Sequence, residues 1–322
     1  MQPTRPAPQL PEMGEMPGAL PNAGPRDWTL AVLPDTQCCS ESWPRHFEAQ
    51  TRWLRDAKDA WRIACVTHVG DIVDDNEDAA QWEAASRAMH LLDGHVPYVL
   101  ALGNHDMGGR NWADTRDTRL DQWFRARDRA AFPSIVETRD PESLESSAHV
   151  IETPDGPWLV LALEFGPRDR TCTWARDLLR RHRDKPTVLV THAFLYLDGT
   201  RYDRKARADQ RWSPYAYGVA RLPGGVADGA DLWENVIAHA PNVRLVLCGH
   251  VLDGRARLES VGPSGRPVHQ VLSNYQDLPE GGSGLLRLMT FRPDAGTLEV
   301  RTYSPVLGRA SVDPRDQFVL RL

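Results

Sequence analysis

Lysine is nearly missing from this chain. It occurs only at Lys58, Lys185 and Lys205, so arginine supplies almost all of the 38 basic residues. A biased base composition explains the imbalance, although single guanidinium forks remain suited to gripping phosphate or carboxylate. Long apolar runs are missing too. No stretch approaches the roughly 18 residues that cross a bilayer, so no membrane partner is expected. Net positive charge is also lacking: a balance of -6 leaves no basic footprint for nucleic acid. Cysteine is sparse, and the five residues (Cys38, Cys39, Cys65, Cys172, Cys248) fit neither zinc-finger spacing nor a disulfide framework, which suits a reducing compartment. Residues 1–26 carry seven prolines and three methionines but no apolar segment of signal-peptide type. They are expected to form a disordered tail on a cytoplasmic protein, with residues 27–322 as a single domain.

The rest of the chain alternates between strand and helix signals. Apolar runs at Trp28 to Leu33, Ile63 to Thr67 and Val96 to Leu102 read as buried strands. Helical spacing over 44–60 and from Glu77 to Leu92 separates them, which implies parallel strands joined by right-handed crossovers. A polar segment, 107–145, holds one expected helix near Leu120 to Arg129. Strands follow near 148–152 and 158–163, then a helix over 173–183, a strand at Thr187 to Val190, a helix over 232–239 and a strand at Val243 to Leu247. Beyond Arg255 only strands are expected, at 255–261, 267–273, 284–291 and 297–303. The fold class is therefore α/β, two facing mixed sheets flanked by helices.

Polar clusters close five of these strands: Asp35-Thr36-Gln37, Gly70-Asp71, Asn104-His105, Thr191-His192 and Gly249-His250. In α/β sheets the C-terminal strand ends lie side by side and carry the chemistry. Carboxylates, imidazoles and an amide oxygen together make a mixed N/O metal site, suited to zinc, manganese or iron.

The ordered set Asp35-x-Gln37, Gly70-Asp71-x-x-Asp74, Gly103-Asn104-His105-Asp106, Thr191-His192 and Gly249-His250 resembles the calcineurin-like metallophosphoesterases. Their pattern reads D-x-H, G-D-x-x-D, G-N-H-D/E, H and G-H-x-H, and the resemblance spans about Leu30 to Leu252. It implies two divalent metal ions (Mn, Fe or Zn) and a small-molecule phosphate ester, mono- or diester, hydrolysed by a metal-bound hydroxide. It makes Asp71 the bridging carboxylate, with Asn104, His192 and His250 on one metal and Asp35 with Gln37 on the other. His105 would serve the leaving oxygen or the phosphoryl group, held by Asp74.

Two residues depart from that pattern. Gln37 stands where the family has histidine, and Leu252 stands where G-H-x-H ends. Both changes fall on one metal position, which leaves it weak, exchangeable, differently loaded or empty unless Asp253 fills the gap. Two other readings follow: an iron-dependent redox enzyme on the same scaffold, or a ligand-binding pseudoenzyme. The irregular stretch from Tyr196 to Ala230 leaves the His192 strand and is expected to cover the site as a lid, with Tyr196, Arg201 and Tyr202 contacting substrate. Asn274-Tyr275-Gln276, closing a later strand, is also within reach of the cleft.

Overall fold

A strand that is apolar at every position needs cover on both faces, and the Trp28–Leu33 strand has it. Side chains alternate across a strand. Trp28, Leu30 and Val32 point into a core between two sheets, against Val160, Val188, Leu245, Met289 and Phe291. Ala31 and Leu33 point the other way, under helices, beside Phe47, Leu54, Trp82 and Met89. The computed structural model describes residues 8–109, 112–128 and 131–322. Among them no helix is long and apolar enough to cross a membrane.

The first sheet has eight strands, and at one edge Trp28–Leu33, Ile63–His68 and Tyr98–Leu100 run parallel. Leu286–Arg292 and Thr297–Ser304 extend it antiparallel. The second sheet has seven strands, with a parallel centre of Gly156–Ala162, Thr187–Val190, Val243–Cys248 and Pro267–Leu272. Helices Pro44–Asp56 and Ala79–Met89 cross over the first sheet, and Asp169–Arg181 lies in a crossover of the second. The α/β class with two mixed sheets and flanking helices thus agrees with the sequence. Each sheet has a parallel part extended by antiparallel strands. The helix expected over 120–129 is only Leu120–Trp123, and Arg129 lies outside the described residues.

The disordered tail also needs correcting. Residues 1–7 lie outside the described residues, but Met13–Gly14 pairs antiparallel with Arg309–Ser311 at the edge of the first sheet. Leu20 is buried, and Arg292 donates to the Pro21 carbonyl at 2.9 Å. An open sheet edge offers unpaired backbone groups, and a short extended segment satisfies them despite its prolines.

Arg287 and Asp316, both fully buried, pair at 3.2 Å beneath the strand end at Tyr275. Arg287 also donates to the Tyr275 hydroxyl at 2.6 Å, and that hydroxyl donates to Asp316 at 3.1 Å. Removing one member of a buried pair strands the other. Asp316→Ala is expected to cost about 3–5 kcal/mol, read from the urea midpoint; an unchanged midpoint would mean that this anchor carries no load.

Candidate metal centre

Two glycines make the floor of the site. A Cβ on Gly103 would lie 2.0 Å from Asp71 Oδ1, and one on Gly249 would lie 2.0 Å from Asp35 Oδ1. Only bare backbone lets the two carboxylates sit this deep. Asp71 itself holds a left-handed backbone, φ 53°, as does His250 at φ 80°. Such strain in non-glycine residues persists only where the surroundings impose it.

Asp71 is the hub. Its Oδ1 accepts from the His105 backbone N–H at 3.0 Å, and its Oδ2 accepts from Gln37 Nε2 at 3.0 Å. His192 Nε2 comes within 3.1 Å of the same Oδ2. Burial alone would raise the Asp71 pKa, but the His192 and His105 imidazoles hold it below the usual carboxylate range. At Asp35 burial wins: despite the pull of His192, and with the Asp71 charge adding to burial, its pKa is pushed up to about 7. Its Oδ2 accepts from the His250 backbone N–H and from Asn274 Nδ2, both at 2.8 Å.

The two deep histidines are oriented through their second nitrogens. His192 Nδ1–H donates to the Val69 carbonyl at 2.9 Å, which leaves Nε2 facing Asp71. His250 Nε2–H donates to the Trp212 carbonyl at 2.7 Å, which leaves Nδ1 with its lone pair. Such outer bonds fix the tautomer of a metal-binding imidazole. Burial, reinforced by the His192 charge, lowers the His250 pKa to about 3 and keeps it neutral. Phe165 packs on both rings, with centroids at 5.9 Å from His192 and 5.6 Å from His250.

His105 stands at the rim. Its Nδ1 donates to the Asp74 carbonyl at 2.9 Å and lies 3.2 Å from the Asp74 carboxylate, while Nε2 lies 4.0 Å from Asp71 Oδ2. Burial disfavours its charge, but Asp71 and Asp74 outweigh that and raise the pKa to about 10. Asp106, next in sequence, has a bracing position: its two oxygens accept from the backbone of Ile72, Val73 and Gly103, tying two strand ends together.

The residues present fit a cation. Asp71, His192 and His250 each offer a ligand atom, all within 4.8 Å of one another. Asp35 Oδ1, Gln37 Oε1 and Asn104 Oδ1 are buried without a hydrogen-bond partner, and His192 Nε2 meets Asp71 Oδ2 at 3.1 Å without hydrogen-bond geometry. Buried polar atoms are rarely left unpartnered, and three of them on adjoining strand ends mark a place for a ligand that accepts lone pairs.

Above these atoms opens a cleft of about 160 Å³, lined by Asp71, Asn104, His105, Trp212, Tyr217, His250, Leu252 and Gln276. The stretch after Tyr196 does reach it, but through Trp212 and Tyr217. Tyr196, Arg201 and Tyr202 are not in that lining, and their expected contact with substrate is corrected. An antiparallel bridge between Leu195 and Arg201 folds the chain back. Arg201 then donates to Gln270 at 2.9 Å and Ser260 at 2.7 Å, and stacks over Trp233. Its fork is spent on the outer strands. Tyr202 is buried behind His250, with its hydroxyl donating to the Arg211 carbonyl, and Tyr196 packs on Tyr202. Asp253 pairs with Arg255 at 3.5 Å, also away from the cleft lining. His68 is a core histidine, bonded to Thr36 at 2.9 Å.

A larger hollow, about 400 Å³, lies at the opposite strand ends among Asp155, Arg183, Arg244 and Arg266. It has no imidazole in its lining, and size alone gives it no chemistry.

Comparison with known proteins agrees with the geometry. Residues 29–254 match the family model described as calcineurin-like phosphoesterase. The uncharacterized protein YvnB of Bacillus subtilis (strain 168) is 30% identical over 290 residues, 86% of this chain; the chain spans only 20% of that relative's length. The purple acid phosphatase PPD1 from yellow lupin (Lupinus luteus) seeds shares the fold at a TM-score of 0.51 and 13% identity, over 92% of this chain and 54% of its own. The matched region contains all five strand-end clusters, and the chain belongs to the calcineurin-like phosphoesterases.

Proposed function

We propose that the protein hydrolyses a phosphomonoester or phosphodiester of a small molecule at this cleft, with divalent metal ions held by Asp35, Gln37, Asp71, Asn104, His192 and His250. The observation that carries the reading is the set of buried, unpartnered oxygen atoms around Asp71, with the His192 and His250 imidazoles beside it. Bound cations would supply charge to polarise a phosphoryl oxygen and to ionise a water near neutral pH.

The other steps belong to side chains. His105, with Nδ1 engaged by Asp74, presents a protonated Nε2 to the leaving oxygen. As the water oxygen bonds to phosphorus and the ester P–O bond breaks, the electron pair stays on the leaving oxygen, which takes the His105 proton. Asp74 keeps the ring in one orientation and supports its charged form. Trp212 and Tyr217 give the cleft an aromatic wall, which suits a substrate with an apolar or planar group beside its phosphate.

Bis-p-nitrophenyl and mono-p-nitrophenyl phosphate, offered to protein supplied with Mn²⁺, Zn²⁺ or Fe²⁺, test the reading. Turnover of either ester is the expected result, and the ratio of the two rates assigns diesterase or monoesterase. Full metal loading without hydrolysis of either would favour a redox or purely binding role for the same scaffold.

A further inference from the structure

The departure at the first metal position lies in two residues: glutamine stands for one imidazole, and Leu252 cannot ligate. The neighbourhood of Leu252 holds a further unpartnered oxygen. Gln276 lines the cleft beside Leu252 and Asp71, and its Oε1 is buried with no hydrogen-bond partner. Asp35 Oδ1 and Gln37 Oε1 share that condition.

The segment carrying Gln276 is held firmly. Asn274 Nδ2 donates to Asp35 Oδ2, and Asn274 Oδ1 accepts from the Gln276 backbone N–H at 2.9 Å. Tyr275 between them is buried and fixed by Arg287 and Asp316. Gln37 is held likewise: its Nε2 donates to Asp71, so its amide oxygen is the atom left over. Two amide oxygens are therefore left without a partner, Gln37 in the place of one imidazole and Gln276 in the cleft that Leu252 also lines, each on a side chain or segment tied to a carboxylate of the site.

We infer that the first metal position is rebuilt as an all-oxygen site, with Gln276 as the ligand that replaces the missing histidine. Asp35, Asp71, Gln37 and Gln276 supply its oxygens, while His192, His250 and Asn104 keep the second position nitrogen-rich. Hard oxygen donors suit Mn²⁺ or Mg²⁺, and imidazoles suit Zn²⁺ or Fe²⁺. The two positions then differ in preference, and a mixed pair of ions is the natural load. This inference rests on the metal-dependent reading above but is tested apart from activity.

Titration calorimetry and Mn²⁺ electron paramagnetic resonance on the full chain, preloaded with one equivalent of Zn²⁺, provide the test. The wild type is expected to take a further equivalent of Mn²⁺. Gln276→Leu should weaken that step by about 10–100-fold, a loss typical of disturbed metal sites, with Zn²⁺ uptake unchanged. Gln276→Glu should retain it, which excludes misfolding at this segment as the cause. Leu252→His should turn the first position toward Zn²⁺. Unchanged Mn²⁺ affinity in Gln276→Leu overturns the inference, and if KM alone rises Gln276 belongs to substrate binding. That failure leaves hydrolysis standing on the second position. Conversely, a Gln276-dependent Mn²⁺ beside the Zn²⁺, without phosphoester turnover, would keep this site and remove the hydrolytic reading.

Discussion

Asp71→Asn is expected to lower phosphoester turnover by about 10²–10³-fold or more and to reduce the metal bound per chain. Asn preserves the shape of the side chain and one oxygen, but it removes the charge at the centre of the site. Asp71 takes a backbone N–H from His105 on one oxygen and faces Gln37 and His192 with the other. Its two carboxylate neighbours are otherwise engaged: Asp35 has its own Oδ2 occupied, and both oxygens of Asp106 are bound to backbone N–H groups. The variant should keep the wild-type circular dichroism spectrum, because the surrounding strands are held by apolar packing. Wild-type kcat in Asp71→Asn would mean that the reaction happens elsewhere.

His105→Ala is expected to lower kcat by about 10²–10⁴-fold for a substrate with an alkyl leaving group, the usual range for a lost general acid. The loss should be much smaller for p-nitrophenyl esters, whose leaving oxygen needs little help from a proton. That contrast separates proton donation from a steric role, which would affect both substrates alike. The pH profile adds a second readout. A general acid works while protonated, and Asp71 with Asp74 raises the His105 pKa to about 10 against the opposing effect of burial. Turnover should therefore persist through neutral pH and fall as pH rises toward that value. His105→Ala should lack this alkaline limb, and Asp74→Asn should bring it to lower pH.

Much of this site was legible in the sequence because strand ends are legible. An apolar run that stops at Gly70-Asp71, or at Gly249-His250, both predicts a buried strand and locates the polar residue at its end. Asp35, Asp71, Asn104, His192 and His250, spread over more than 200 positions, all close such runs, and the structure juxtaposes them. The cleft wall was not legible in this way. Trp212 and Tyr217 lie in irregular chain with no period, and Trp212 acts on His250 through its carbonyl, which no side-chain pattern encodes. Arg201 misled for the same reason: closeness in sequence to His192 says nothing about direction, and the bridge at Leu195 turns it outward. Asn274 and Gln276 gave a partial signal as polar residues closing a strand. Their tie to Asp35 depends on the first and second sheets facing each other, a contact between residues 239 positions apart.

Metal removal and return decides whether cations at these strand ends run the reaction. Protein stripped with a chelator should hydrolyse no phosphoester, and adding back Mn²⁺, Zn²⁺ or Fe²⁺ should restore turnover in step with the ions bound per chain. In Asp71→Asn the same additions should restore nothing. Hydrolysis that survives complete stripping, or that returns equally in Asp71→Asn, would contradict a reaction run by cations held among these strand ends.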